Sequence, residues 1–144
     1  SCVLRIETAH GNALLTGDIG HLIEAKLLRE DPASVRNEVV LVPHHGSAGS
    51  SGEDFVAATG ARLALVSSGA GNRFGHPRAP VVKRWCDAGA EVIDTAHSGA
   101  IRIWMGADGL QVQERRASRA RLWDAARRRN GTAGLCYAPE MQRP

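Results

Sequence analysis

Three short segments of this chain carry side chains able to ligate a metal ion or move a proton, and each lies at or beyond an apolar run. Leu14-Leu15-Thr16-Gly17-Asp18 ends on a carboxylate, and Val42-Pro43-His44-His45-Gly46-Ser47 offers two imidazoles and a hydroxyl. Gly71-Asn72-Arg73-Phe74-Gly75-His76-Pro77 offers an amide, a guanidinium and a third imidazole. A carboxylate and neutral imidazoles converging from strand ends suit a divalent ion such as Zn²⁺ or Mn²⁺, and the residue types do not choose between the two. Each residue also has a structural alternative. Asp18 could cap the following helix, His76 could cap the helix after Pro77, and a lone histidine is commonly a satisfied structural residue.

His44 and His45 are adjacent, so in extended chain their side chains point to opposite faces. Only one then faces a shared site, unless the loop bends at once. Gly46 and Ser47 add free backbone N–H groups and a hydroxyl before the next helix, which suits an anionic oxygen. Asn72 and Arg73 are further candidates for contacts to phosphate oxygens. His10, His21 and His97 read as bland residues of a turn, a helix and a loop. Asp94 and Asp108 read as ordinary strand-end and turn residues.

The elements that must position these groups follow from periodicity. Val3 to Glu7 alternates, His10-Gly11-Asn12 turns, and Ala13 to Thr16 returns, giving an opening hairpin. Gly20 to Arg29 has helical spacing, started by Asp18 or Gly20. Val39–Val42, Leu63–Val66 and Glu91–Asp94 are short runs typical of buried strands. Helices fall over Glu53–Thr59, closed by Gly60, and over Pro80–Ala88, followed by Gly89. The Gly-rich loop from Ser67 to Ala79 is long, and such loops commonly carry function or lack order. Ala100–Met105 and Leu110–Glu114 form a second hairpin. The expected fold class is α/β, a mixed sheet with helices on at least one face.

Composition sets outer bounds. A chain of 144 residues with 43% hydrophobic content has enough material for one core. Only 4% is aromatic, so Val, Leu, Ile and Ala must fill that core. No apolar run approaches the roughly 20 residues that cross a bilayer as a helix. The net charge of +3 is concentrated, because Arg115 to Arg129 holds seven Arg and one Asp. Such a segment suits a polyanion, either nucleic acid or anionic lipid, or is simply solvated. From about 116 the expectation is an Arg-rich helix to Arg129, then a turn-rich disordered end. Cys2, Cys86 and Cys136 form no CxxC pair and no disulfide framework, and Cys2 and Cys86 read as small core residues. The first residue is not Met and stands directly before a strand, which reads as a fragment or trimmed chain.

The series LLTGD, VPHHGS, VSSGAGNRFGHP and AGAEVIDTAHSGAIRI, in this order, resembles the C-terminal part of the metallo-β-lactamase-like domain of the ComEC family of competence proteins. The resemblance spans about Ser1 to Val112 and leaves out the Arg-rich tail. It implies the C-terminal portion of an αββα sandwich with a metal site at the strand ends, two ions in the intact domain. It implies a nuclease that degrades one DNA strand during uptake, holding single-stranded DNA without reading its sequence, attached to a membrane channel formed by the rest of the protein. By motif position, Asp18 would be a bridging metal ligand and His76 a late one. His44 or His45 would act beside the scissile phosphate, as proton donor or extra ligand, with Ser47, Asn72 and Arg73 on phosphate oxygens.

The chain departs from that family in lacking the His-x-His-x-Asp-His motif, which supplies most ligands of the first metal. The expectation is therefore an incomplete, inactive half-site and a sheet with an uncovered face prone to self-association. By the same resemblance, the domain belongs at the inner membrane, facing the periplasm or exterior. The competing readings are a non-catalytic remnant, a nucleic-acid-binding module that uses its Arg tail, and another metallo-β-lactamase-like hydrolase.

Overall fold

The computed structural model describes residues 1–119 and 134–136. The strands are β1 (Leu4–Thr8), β2 (Gly11–Leu15), β3 (Val39–Leu41), β4 (Leu63–Val66), β5 (Glu91–Asp94), β6 (Ile101–Gly106), β7 (Gly109–Glu114) and β8 (Gly134–Cys136). The helices are α1 (His21–Glu30), α2 (Pro32–Val35), α3 (Glu53–Thr59), α4 (Ala79–Asp87), α5 (Thr95–Ser98) and α6 (Arg115–Ser118), with a 3₁₀ turn over Pro43–Gly46. A six-stranded sheet runs β1-β2-β3-β4-β5-β8, and β6 and β7 form a separate two-stranded sheet. Strands β2 to β5 are parallel, while β1 and β8 pair antiparallel at the edges. The sheet is mixed, as the sequence suggests.

Register explains why the central strands are apolar throughout. Leu14, Val40, Ala64 and Val92 lie side by side across the four parallel strands. With Val42 and Val66 they pack against Val35, Phe55, Val56, Val81 and Trp85 from α2, α3 and α4. Side chains alternate across a sheet, so their neighbours Ala13, Val39, Leu63 and Ile93 face the other way. There they meet Leu110 and Val112 of the β6–β7 hairpin. Helices thus cover one face and the hairpin covers part of the second. Leu4, Ile6 and Leu15 stay 57%, 41% and 37% exposed. They share a face with Ala13, because Leu4 pairs with Leu15 and Ile6 with Ala13. The second face, expected to be uncovered, is instead buried under the hairpin at Ala13, Val39, Leu63 and Ile93, and its exposed apolar part is confined to the β1–β2 edge.

Three expectations are corrected. Cys86 is no isolated core thiol, because it forms a disulfide with Cys136. Cys2 is an exposed free cysteine, not a core residue. Residues 134–136, expected to be disordered, form β8, which pairs with β5 at Val92–Cys136. A three-residue strand next to a disulfide takes its order from tertiary contacts, which local composition does not encode. The expected Arg-rich helix to Arg129 lies mostly outside the described residues, beyond the single turn of α6.

Candidate active site

All the parallel strands end on one edge of the sheet, where ligand sites of open α/β sheets usually lie. Asp18 follows β2, the double histidine follows β3, Ser67 follows β4 and Asp94 closes β5. Two backbone hydrogen bonds draw the loops together. His44 N–H donates to the Gly17 carbonyl at 3.0 Å, and Arg78 N–H donates to the Gly46 carbonyl at 2.9 Å. Gly46 has φ +80°, and a Cβ there would stand 2.6 Å from the Pro77 Cβ. Only glycine permits that approach between the loop bearing His45 and the loop bearing His76.

The double histidine does not extend. His44 and His45 have φ of 49° and 57°, inside the 3₁₀ turn. The chain bends at once, and both rings stay on the site side. Their centroids are 6.4 Å apart, and the His44 ring lies 6.3 Å from that of His76. The structure thus takes the bent alternative, and positive φ at two non-glycine residues is uncommon. Backbone strain of this kind clusters at functional sites.

His45 is held at both ring nitrogens. Nδ1 donates to the Ser67 carbonyl at 2.7 Å, and Nε2 lies 3.4 Å from Asp18 Oδ1. A proton fixed on Nδ1 leaves the Nε2 lone pair facing a carboxylate oxygen, an arrangement completed by a proton or a cation between them. Asp18 does not cap α1: the N-cap is Gly20, with no side-chain cap bond. His76 does not cap α4, whose N-cap is Arg78. Both structural alternatives fail.

The His76 loop is built around Asn72. Its amide nitrogen donates to the carbonyls of His76 at 2.7 Å and Gly69 at 3.1 Å, and its amide oxygen accepts from His76 N–H at 2.9 Å. Phe74 stacks on the His76 ring at 5.8 Å, and the Arg73 guanidinium sits 4.9 Å over Phe74. A cavity of about 310 Å³ lies between His45, Ser68, Asn72, Phe74 and His76. Ser47 is half-buried in the turn, its N–H bonded to the His44 carbonyl at 2.9 Å and its hydroxyl accepting from Gly49 N–H at 3.4 Å.

His76 Nδ1 is buried and has no hydrogen-bond partner among the described residues. Burial first, then the Arg78 guanidinium and the rings of His44 and His45, holds its pKa below the ordinary 6.5. A neutral imidazole with an unused nitrogen is a competent ligand. The sign for stability follows: the unfolded chain takes up this proton at higher pH than the folded one. The fold therefore loses stability as pH falls below 6.5, and the loss levels off below the folded value. In an NMR titration the His76 ring is expected to show a midpoint under 6.5; one at or above 6.5 contradicts the environment described.

Among the described residues, no group of three or more acidic, histidine or cysteine side chains is arranged to hold a metal ion. Asp18, His45 and His76 supply donors of the right chemistry for part of a site, and they do not complete one.

Sequence reasoning missed the supports. Glu24 on α1 is 2% exposed and accepts from Ser51 N–H at 2.6 Å and Gly52 N–H at 2.9 Å. Its neighbour His21, read as bland, lies 3.2 Å from Glu24 and 3.3 Å from the Ala48 carbonyl. Together they anchor the segment that follows the double histidine. Glu24→Gln turns one acceptor into a donor against a backbone N–H, which should cost about 1–3 kcal/mol. Urea denaturation measures this, and an unchanged midpoint would show that the anchor carries no weight. Asp94 and His97, ordinary strand-end and loop residues by sequence, do similar work. Asp94 is buried and caps α5 through His97 N–H at 2.7 Å, and His97 Nδ1 sits 2.8 Å from the same carboxylate. A single Glu at helical spacing gave no signal of the first contact, and Asp-x-x-His gave only a weak one of the second.

The fold and site define an α/β protein with acid and imidazole groups gathered at the ends of parallel strands. Comparison with known proteins adds a lineage. The chain is 33% identical over 116 residues to Competence protein ComA of Neisseria gonorrhoeae, covering 81% of this chain and 17% of that protein. It is 33% identical over 102 residues to ComE operon protein 3 of Bacillus subtilis, covering 71% and 13%. To Recombination protein 2 of Haemophilus influenzae it is 31% identical over 116 residues, covering 81% and 14%. These homologues support a competence-related family. The chain spans between about an eighth and a sixth of the length of the relatives it matches. No family model matches the chain, and no solved structure does.

Proposed function

We propose that this chain is the C-terminal part of a metallo-β-lactamase-like nuclease domain that hydrolyses one strand of DNA during uptake. The observation that carries the reading is the gathering of Asp18, His45, His44 and His76 at one sheet edge. The competence-related relatives support a role in DNA uptake, and DNA is the substrate proposed on that ground. Their greater length fits a domain whose remaining ligands and second sheet lie elsewhere in a longer protein. The exposed Leu4, Ile6 and Leu15 fit the seat of that second sheet, or of a second copy when it is absent.

In this proposal Asp18 and His76 are the ligands this segment contributes to a site for Zn²⁺ or Mn²⁺, with two ions in the complete domain. A bound divalent ion acidifies water and neutralises phosphate oxygens. This chain's own residues do the rest. His45 is oriented by the Ser67 carbonyl and steadies Asp18. His44, exposed and with its ring 6.4 Å from that of His45 and 6.3 Å from that of His76, is the proton donor to the leaving oxygen in this reading. Ser47 and Arg73 face the phosphate, and Asn72 holds the His76 loop in shape. No helix among the described residues is long and apolar enough to cross a membrane. We place the domain beside a membrane channel formed by the rest of the protein, on the periplasmic or exterior side. The Cys86–Cys136 disulfide supports the oxidising side.

The test is Mn²⁺- or Zn²⁺-dependent cleavage of single-stranded DNA by this chain and by one extended upstream in its gene. Cleavage by the extended protein alone is expected. One observation favours a second reading, a non-catalytic binding module: no three donors surround one point among the described residues. Absence of cleavage by both proteins would select it.

A further inference from the structure

The outward face of the β6–β7 hairpin is unlike the rest of the surface. Its inward residues, Ile101, Ile103, Leu110 and Val112, are absorbed by the second core. Alternation puts Arg102 and Trp104 outward, opposite Gln113 and Gln111. Trp104 is 45% exposed. Beside it, Ala100, Arg102, Gln113, Arg115, Ser118 and Arg119 line a cavity of about 350 Å³. Arg115 donates to the Arg119 carbonyl at 2.6 Å, which fixes the turn of α6 and leaves the Arg119 side chain at the rim. Glu114 points inward, buried and bonded to the Ser98 hydroxyl, and Asp108 lies at the far turn of the hairpin.

We infer that this face is a platform for single-stranded nucleic acid, with Trp104 stacking on a base and Arg102, Arg115 and Arg119 on consecutive phosphates. An aromatic ring set among guanidinium and amide groups is the chemistry by which strands are held without sequence readout. A protein partner or a lipid surface fits less well. On the described hairpin the outward positions flanking Trp104 are Arg102, Gln111 and Gln113, not aliphatic residues, and a membrane-seeking surface needs an apolar anchor.

The α6 end of the platform lies beside α5, which follows β5 at the edge that bears the candidate site. Arg116 donates to the Ala96 carbonyl at 2.5 Å and ties α6 to α5. Thr95 of α5 exchanges hydrogen bonds with Ser68 at 2.9 and 2.8 Å, and Ser67 holds His45. From β5 to β3 is two strand spacings, about 10 Å. A strand lying on the platform would thus run toward the double histidine. The choice of DNA over RNA rests on the function proposed above; the platform itself does not.

The test is fluorescence anisotropy of fluorescein-labelled (dT)₂₀ with the whole chain, in EDTA. Binding is expected to persist in Asp18→Ala, so loss of cleavage and loss of binding are separable. Three phosphate contacts predict a log–log salt slope of about −2. Trp104→Ala should weaken binding about tenfold, while Trp104→Phe retains it. Arg102→Glu with Arg119→Glu should weaken it at least as much, with thermal melting unchanged in each variant. Equal affinity of wild type and Trp104→Ala overturns the proposal, since binding then comes from charge elsewhere. So does preferential capture by phosphatidylserine vesicles, or an absence of (dT)₂₀ binding at low salt.

Discussion

Asp18→Ala is expected to lower metal-dependent cleavage by the upstream-extended protein at least 100-fold, about the upper effect of losing a mere supporting contact at a metal site. The fold should not notice. Asp18 is exposed, caps no helix, and has His45 as its ion-pair partner at 3.4 Å. Its melting temperature should match the wild type. That pairing of results separates a functional carboxylate from a structural one. His76→Ala should lose a comparable factor, whereas Asp108→Ala, in the far hairpin turn, should keep full activity. Retained cleavage in Asp18→Ala would remove the carboxylate from the chemistry and with it the reading of the strand-end site.

The same residues mark how far the sequence could be read. The apolar runs at β3, β4 and β5 are short, dense and bounded by turn formers, so buried strands are legible in the sequence, while their parallel pairing is a finding of the structure. Asp18, the double histidine and His76 each stand beyond such a run, and the structure brings His45 to 3.4 Å from Asp18 and the His44 ring to 6.3 Å from that of His76. What periodicity could not supply is the direction of the two adjacent imidazoles. Extended geometry sends them apart, and the positive φ at both His44 and His45 brings them back. That conformation is imposed from outside the segment, by the Gly17–His44 bond and the Gly46–Pro77 contact. Glu24 is a similar case. A buried carboxylate on an otherwise solvated helix is decided by where α3 begins, 28 residues from it along the chain to the Gly52 N–H. Nothing local in α1 records it.

Reduction of Cys86–Cys136 is the second large effect expected, and it tests both fold and location. The two cysteines are 50 residues apart. Closing a loop of that length restricts the unfolded chain by about 4 kcal/mol in the chain-entropy treatment. Cys86→Ser, or dithiothreitol, should therefore lower stability by up to about that amount in urea denaturation. The loss should begin at the β5–β8 edge, since β8 is three residues long. Thiol counting gives an independent check, because Cys2 is exposed and free. One thiol should react in the unreduced, denatured protein and three after reduction. Three before reduction would mean that the bond is absent. The argument then reaches function. A domain that relies on this bond keeps its stability in an oxidising compartment and loses it among cytosolic thiols. The proposed location outside the inner membrane is the one in which the edge strand stays tied.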